Sequence, residues 1–319
     1  MKRKVNRVGT GTLTISLPSK WAEQNHITLG SELEVKEEGA QITFSTTEIK
    51  KDSKRISFHV DHPIHRGARK YLYYAYKEGY DEIEITIDSP ETLARVIKEV
   101  NSLLGFEIIR QTDKYCLIKN VASPLDSTFP DLINKAFQIT LSMSEETLQA
   151  FKNKDYSSLA EISEQEFVQN KLINTSLRMI NSNQFKIRNC GSLYTMVSIL
   201  EGIADRMKYI CQHYKDKKVP LDKETEDYFE YYLSSLKEAY EEFHTFDEEK
   251  ALSNGVRKSH FYKESCQNIL IKCKNEHKLL VNFLNAAGLY VCDLRDEIYL
   301  LNKSRPKGTK GIFDSINLT

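Results

Sequence analysis

The sequence predicts a multidomain α+β chain, with small strand-rich modules ahead of a long helical region. Three observations lead there. Leu13, Ile15 and Leu17 alternate with Thr12, Thr14 and Ser16, the period-2 pattern of a half-buried strand. Ile83, Ile85 and Ile87 repeat that pattern against Glu82, Glu84 and Thr86. Beyond about residue 123 the apolar spacing changes to three and four residues, and strand patterns stop. The expected divisions are 1–50, 51–122, 123–303 and a loose polar tail at 304–319 with Pro306, Gly308 and Gly311.

Composition narrows the function classes. Lys+Arg and Asp+Glu number 45 each, which argues against a uniformly basic nucleic-acid binder but leaves room for a local basic patch. No apolar run approaches the ~18 residues of a membrane span. The start, MKRKVNRVGTG, lacks the apolar stretch of a signal peptide. The six cysteines contain no CxxC pair, as expected of reduced thiols. A cytoplasmic protein without direct membrane insertion follows. No GxxxxGK[ST], HExxH or GxSxG occurs, and no nucleophile–base pair stands out, so an enzyme is the least expected class.

The first module concentrates charge that the neutral total hides. Its first 22 residues hold Lys2, Arg3, Lys4, Arg7 and Lys20 and no acid. Gly9 and Gly11 suggest a turn. Pro18 opens a short helix over 19–25, where a missing N–H costs nothing. Leu29-Gly30 turns the chain, Leu33 and Val35 form a strand, Glu38-Gly39 a tight turn, and Ile42 and Phe44 the next strand. So few apolar side chains in about 45 residues cannot build a core alone, so a homodimer is expected. The run VGTGTLTISLPSKWAEQNHITLGSELEVKEEG closely resembles the AbrB/MazE/SpoVT family of swapped-hairpin DNA-binding domains. The resemblance covers roughly residues 3–45 and implies two chains interleaved into one barrel-like dimer. It also implies DNA contact by basic residues of the first strand and its loop, here Arg3, Lys4 and Arg7, joined by Lys20. The family often carries an Arg directly after the loop glycine, where this chain has Thr12. A dimerisation module with a solvated basic edge is the alternative.

Residues 51–122 read as β-α-β-α-β-β, a small α/β sandwich. Strands are expected at 56–60, 83–87, 106–110 and 115–119, and helices at 64–78 and 91–104. His59, His62 and His65 are evenly spaced, but Pro63 interrupts them and a surface turn is the expected reading. Tyr71, Tyr73, Tyr74, Tyr76 and Tyr80 follow Arg66, Arg69 and Lys70. Successive helical tyrosines point in different directions, so packing is expected rather than base stacking.

Six helices follow, at about 129–153, 157–182, 190–214, 222–246, 248–273 and 276–302, in two similar halves. A shift of 91 sets Leu193, Leu200, Ile203, Met207 and Ile210 on Leu284, Val291, Leu294, Ile298 and Leu301. In that register Asp205 falls on Asp296 and Glu201 on Cys292. A shift of 92, setting Glu201 on Asp293, is disfavoured because it lays Arg295 on Ile203. Glu201 and Asp205 lie one turn apart beside the apolar stripe, where like charges either stay solvated or take a cation. The phrase LEGIADRMKYIC resembles the third-helix motif of the PhoU family of phosphate-uptake regulators, whose fold is a tandem pair of three-helix bundles. The resemblance covers about residues 129–302. It implies cation binding at Glu201 and Asp205, with Asp296 and, more weakly, Asp293 from the second half. The oxygen-rich set favours a hard divalent metal or iron, and a Cys292 thiolate would bias the site toward iron or zinc. The order of modules is that of archaeal PhoU-related regulators. The expected function is a DNA-binding transcriptional regulator of phosphate uptake. The alternatives are a PhoU-like adaptor for a phosphate transporter or signalling partner, and a metal-storage helical protein.

Overall fold

The computed structural model describes residues 2–38, 41–46, 53–60, 65–122, 129–182, 185–186, 189–261, 263, 268–304, 312–315 and 317–318. Strands occupy the N-terminal part and helices dominate the C-terminal part, so the broad α+β division holds. No closed barrel forms among the described residues. The chain divides into two compact units, Met1–Ser53 and Lys54–Thr319.

The first unit contains two antiparallel hairpins and one short helix. Strands β1 (Val5–Val8) and β2 (Thr12–Ile15) pair across a turn in which Gly9 adopts φ +67°, a conformation that disfavours a Cβ. The helix α1 (Ser19–Gln24) follows Pro18, and β3 (Leu33–Glu38) pairs with β4 (Gln41–Thr46). The turn expected at Gly39 lies outside the described residues, as does the linker expected at 123–127.

The second unit begins with a four-stranded sheet of order β5-β6-β8-β7: β5 (Arg55–Val60), β6 (Glu82–Ile87), β7 (Phe106–Gln111) and β8 (Tyr115–Asn120). Strand β5 runs parallel to β6, and β8 runs antiparallel to both of its neighbours. Alternation works as expected: Ile83, Ile85, Ile87, Cys116 and Ile118 are buried. They pack with Leu72, Ala75 and Tyr76 of α2 (His65–Lys77) and Leu93 and Val96 of α3 (Pro90–Val100). Helix α3 starts with Pro90 behind a Ser89 cap and ends at Val100, four residues before the expected limit.

The helical part comprises α4 (Phe129–Asn153), α5 (Ser158–Asn181), α6 (Cys190–Tyr214) and α7 (Lys223–His244), then three short helices and a long one. The expected continuous helix over 248–273 is interrupted at Ser253, between α8 (Glu248–Leu252) and α9 (Asn254–His260); Phe261, Lys263, Asn268 and Ile269 are π-helical ahead of α10 (Leu270–Lys272), and α11 spans Lys278–Lys303. The first break falls at Ser253-Asn254-Gly255, three poor helix formers in a row. There the Asn254 amide turns inward to the Cys292 carbonyl at 2.9 Å, and the Ser253 hydroxyl donates to the Lys250 carbonyl at 2.6 Å. The expectation of a loose tail is also corrected for the part described. Ile312 is buried, Phe313 packs edge-on against Phe129 and Phe243, and β9 (Phe185–Lys186) pairs with β10 (Asn317–Leu318).

The third helices of the two halves, α6 and α11, pack directly on each other. All five apolar pairs of the 91-residue shift are buried. That shift also places Arg295 on Ala204, and both are buried. Arg295 is accommodated by Glu242 of α7, which accepts from its Nε at 2.9 Å, and by the Lys250 carbonyl at 3.1 Å. Gly288 of α11 admits the ring of Phe261: a Cβ there would meet it at 2.2 Å.

The sheet layer is fixed to the bundle by α2 against α5. Arg178 of α5 donates to the Tyr76 and Tyr80 carbonyls at 3.0 and 2.7 Å and to Asp81 at 2.6 Å. Its guanidinium lies 4.8 Å from the Phe106 ring centroid. Burial pulls its pKa down, which Asp81 only partly offsets. The Tyr76 hydroxyl reaches Thr175 at 3.1 Å, and Asn181 donates to the Lys77 carbonyl at 2.9 Å.

Arg178→Met takes the donor from the Tyr80 carbonyl, the counter-charge from Asp81 and one of two donors from the Tyr76 carbonyl, which keeps the Gly79 N–H at 3.1 Å. Urea unfolding should show a loss of about 3 kcal/mol, with an unchanged midpoint meaning that apolar contact alone holds the layer. Gly288→Ala should lose about 1–3 kcal/mol through overpacking against Phe261, and Phe261→Leu in the same chain should return part of it.

Candidate functional site

Two places collect the residues singled out by sequence. On the first unit, the β1–β2 register pairs Val5 with Ile15, Asn6 with Thr14, Arg7 with Leu13 and Val8 with Thr12. Val5, Arg7, Leu13 and Ile15 therefore share one face, and Asn6, Val8, Thr12 and Thr14 the other. Arg3 and Lys4 enter β1 directly, so three of the four expected basic residues follow one another along a single line of chain. Lys20 sits on a different element, α1. All four side chains are exposed.

The apolar partners on this unit are exposed as well. Val5 retains 62% of its surface, Leu13 66%, Val35 56% and Ile42 60%, and none of the unit's described residues is buried. The β3–β4 register puts Leu33, Val35, Ile42 and Phe44 on one face, so each hairpin offers water one apolar face.

The second place is the outer flank of α6 and α11. Lys208 of α6 reaches Asp205 at 2.6 Å and Glu166 of α5 at 2.7 Å, with side chains largely shielded from water. Burial lowers the Lys208 pKa, but the hydrogen bonds and charges of Asp205 and Glu166 outweigh it and the net shift is upward. Burial also pushes Glu166 up, against the pull of Lys208, and the neighbouring Asp205 adds to the rise. Asn170, one turn along α5, donates to Glu166. Glu201 is half-buried and makes no hydrogen bond or ion pair with a described residue.

In the second half, Lys258 of α9 reaches Asp293 at 2.7 Å and Asp296 at 3.5 Å, and Asn254 donates to Asp296 at 2.8 Å. Asp205 is thus engaged toward α5 and Asp296 toward α9, although α6 and α11 pack on each other. The structure brings Asp293 and Asp296 together through one lysine. It gives no partner shared by Asp205 and Asp296. Among the described residues no three His, Cys, Asp or Glu side chains converge as a metal would need. The amide oxygens of Asn170 and Asn174 are buried without a hydrogen-bond partner and would suit a cation, but the nearest carboxylates are held by Lys208. Cys292 is buried, and burial pushes its thiol up to about 11. This donor set does not fit an ion shared by the two halves.

Sequence reasoning passed over Lys208, Glu166, Lys258 and Asn254. Lys208 was within reach, three residues from Asp205 on one helix; the others come from neighbouring helices. Of the three histidines, His59 hydrogen-bonds Thr86 at 2.9 Å, while His62 and the side chain of His65 lie outside the described residues. Among the tyrosines, Tyr76 is core, Tyr73 bonds Glu99 and Ser102, and Tyr71 and Tyr74 are exposed.

Thiol reactivity tests the burial of this flank. In a Cys266→Ser background, a maleimide at neutral pH should label Cys190, which is exposed, and leave Cys116, Cys211, Cys273 and Cys292 until the protein unfolds. Native-state labelling of Cys292 would mean the α9–α11 seam opens to solvent.

No family model matches the chain, and comparison with curated proteins and with solved structures finds no match either.

Proposed function

We propose that the protein is a homodimeric DNA-binding regulator of phosphate uptake, with Met1–Ser53 as the DNA-contacting head and the helical unit as its sensor or partner-docking element. One observation supports this most: a basic, acid-free edge borne on hairpins whose apolar faces stay in water in a single copy. Interleaving with a second copy would cover Val5, Leu13, Ile15, Val35 and Ile42 and set two basic edges a fixed distance apart, with Arg7, which shares the Val5 face, at the rim of that contact. A rigid pair of such edges suits phosphate contact, which needs clustered Lys and Arg before it needs base readout. The phosphate connection comes from the resemblance of the helical region to the PhoU family. An adaptor that docks on a phosphate transporter or signalling protein, with the head serving only to dimerise, is the competing reading.

Replacing Leu13 and Ile15 by Ser removes apolar surface from the face that a second copy would cover. Light scattering at micromolar concentration should then show monomers where the parent gives dimers; an unchanged dimer places the contact elsewhere. Arg3→Ala/Lys4→Ala/Arg7→Ala removes six cations per dimer. Binding to genomic DNA fragments, titrated against salt, should weaken broadly, and the log–log slope should flatten by about five. If the triple variant binds like the parent, or the parent does not bind, the adaptor reading takes over.

A further inference from the structure

We infer that Lys208 and Lys258 supply, from within the chain, the positive charge that Asp205 of α6 and Asp293 and Asp296 of α11 require, so that the bundle closes without a divalent metal. The two halves reach this differently. In the first, the ammonium lies on the third helix and the distant carboxylate on the second: Lys208 on α6 spans to Glu166 on α5 while holding Asp205, its own neighbour. In the second, the ammonium lies on the second helix and both carboxylates on the third: Lys258 on α9 holds Asp293 and Asp296 on α11. The 91-residue shift sets Asp205 on Asp296 and Glu166 on Arg257, one residue from Lys258, so the two bridges sit at equivalent seams with opposite polarity.

An ammonium does here what a metal would do for electrostatics, but not for geometry. It lowers the repulsion between carboxylates from two helices and ties the helices together. It offers only three N–H donors and collects no further carboxylates, so the α5–α6 seam and the α9–α11 seam stay separate. A divalent ion that took Asp205 and Glu166 together would have to displace Lys208 from both and leave that ammonium shielded without a counter-charge, an unfavourable exchange. Occupancy by metal is therefore not the signal this helical unit reads.

The test uses the full-length protein. Melting in chelator is compared with melting in millimolar magnesium, manganese or, anaerobically, ferrous iron, and metal content is measured after dialysis. The parent should melt alike in all and hold no stoichiometric metal. Lys208→Met should melt about 5 °C lower, and Lys208→Arg should stay near the parent. In a double-mutant cycle, Lys208→Met and Asp205→Asn should be non-additive, because each removes the same pair. If Lys208→Met does not fold, the cycle between Asp205→Asn and Glu166→Gln serves, since both release the same ammonium. A metal-dependent rise in the parent that Glu201→Gln/Asp205→Asn abolishes would overturn the inference, and so would strictly additive cycles. Neither result bears on the DNA titration, which tests the head.

Discussion

Arg178 is the contact on which the second unit depends. A charged side chain on a bundle helix projects into a different layer and satisfies the end of its helix. The carbonyls of Tyr76 and Tyr80 belong to the last turn of α2 and the residues just past it, where helical partners run out. A cation there also answers the negative end of the helix dipole, and Asp81 beside it supplies the counter-charge. The guanidinium thus closes α2, holds the entry to β6 and anchors α5 with one group. Without it the α/β layer and the bundle would lose the contacts to Tyr80 and Asp81, while the end of α2 would keep its own bonds from the Glu78, Gly79 and Tyr80 N–H groups. With it they are one compact unit, Lys54–Thr319.

Within the bundle the halves keep the same packing frame and differ in what fills it. The apolar pairs from Leu193/Leu284 to Ile210/Leu301 are interchangeable in burial. Around them the second half departs. Arg295 replaces Ala204 and brings Glu242 into the core with it. One buried charge alone would cost several kcal/mol, so the pair is retained or lost as a unit. Gly288 opens the groove that Phe261 fills. The second half is thus the less regular one, with a broken helix, a buried ion pair and a glycine-dependent ring contact along one seam.

Local periodicity made much of this legible. Alternation at 83–87 marked a strand, and the three-to-four spacing over 193–210 marked a helix and its buried face, because both patterns lie within one element. The contacts that organise the fold were not legible for the opposite reason. Arg178 meets Asp81 across 97 residues and Arg295 meets Glu242 across 53, and an arginine in isolation reads as surface. The reasoning that disfavoured a buried Arg295 opposite Ile203 chose the right register for an incomplete reason, since Arg295 is buried in either register. The break at Ser253-Asn254-Gly255 was visible as composition, but apolar spacing on both sides outweighed it. Of the site residues, Asp205, Asp293 and Asp296 were found, and Glu166 and the two lysines were not. The motif drew attention to like charges on one helix, and their resolution lies on the next turn and the next helix.

The two units stand in contrast in how they satisfy their surfaces. In the second, three of the shielded cations are matched: Arg178 by Asp81, Arg295 by Glu242, Lys208 by Asp205 and Glu166. In the first, both hairpins leave an apolar face in water beside Arg3, Lys4 and Arg7, which make no ion pair among the described residues. Marginal modules of this size gain stability from association, and associating copies fix the spacing of whatever they carry. The second unit closes its apolar faces and several of its charges upon itself, and the first, in a single copy, does not.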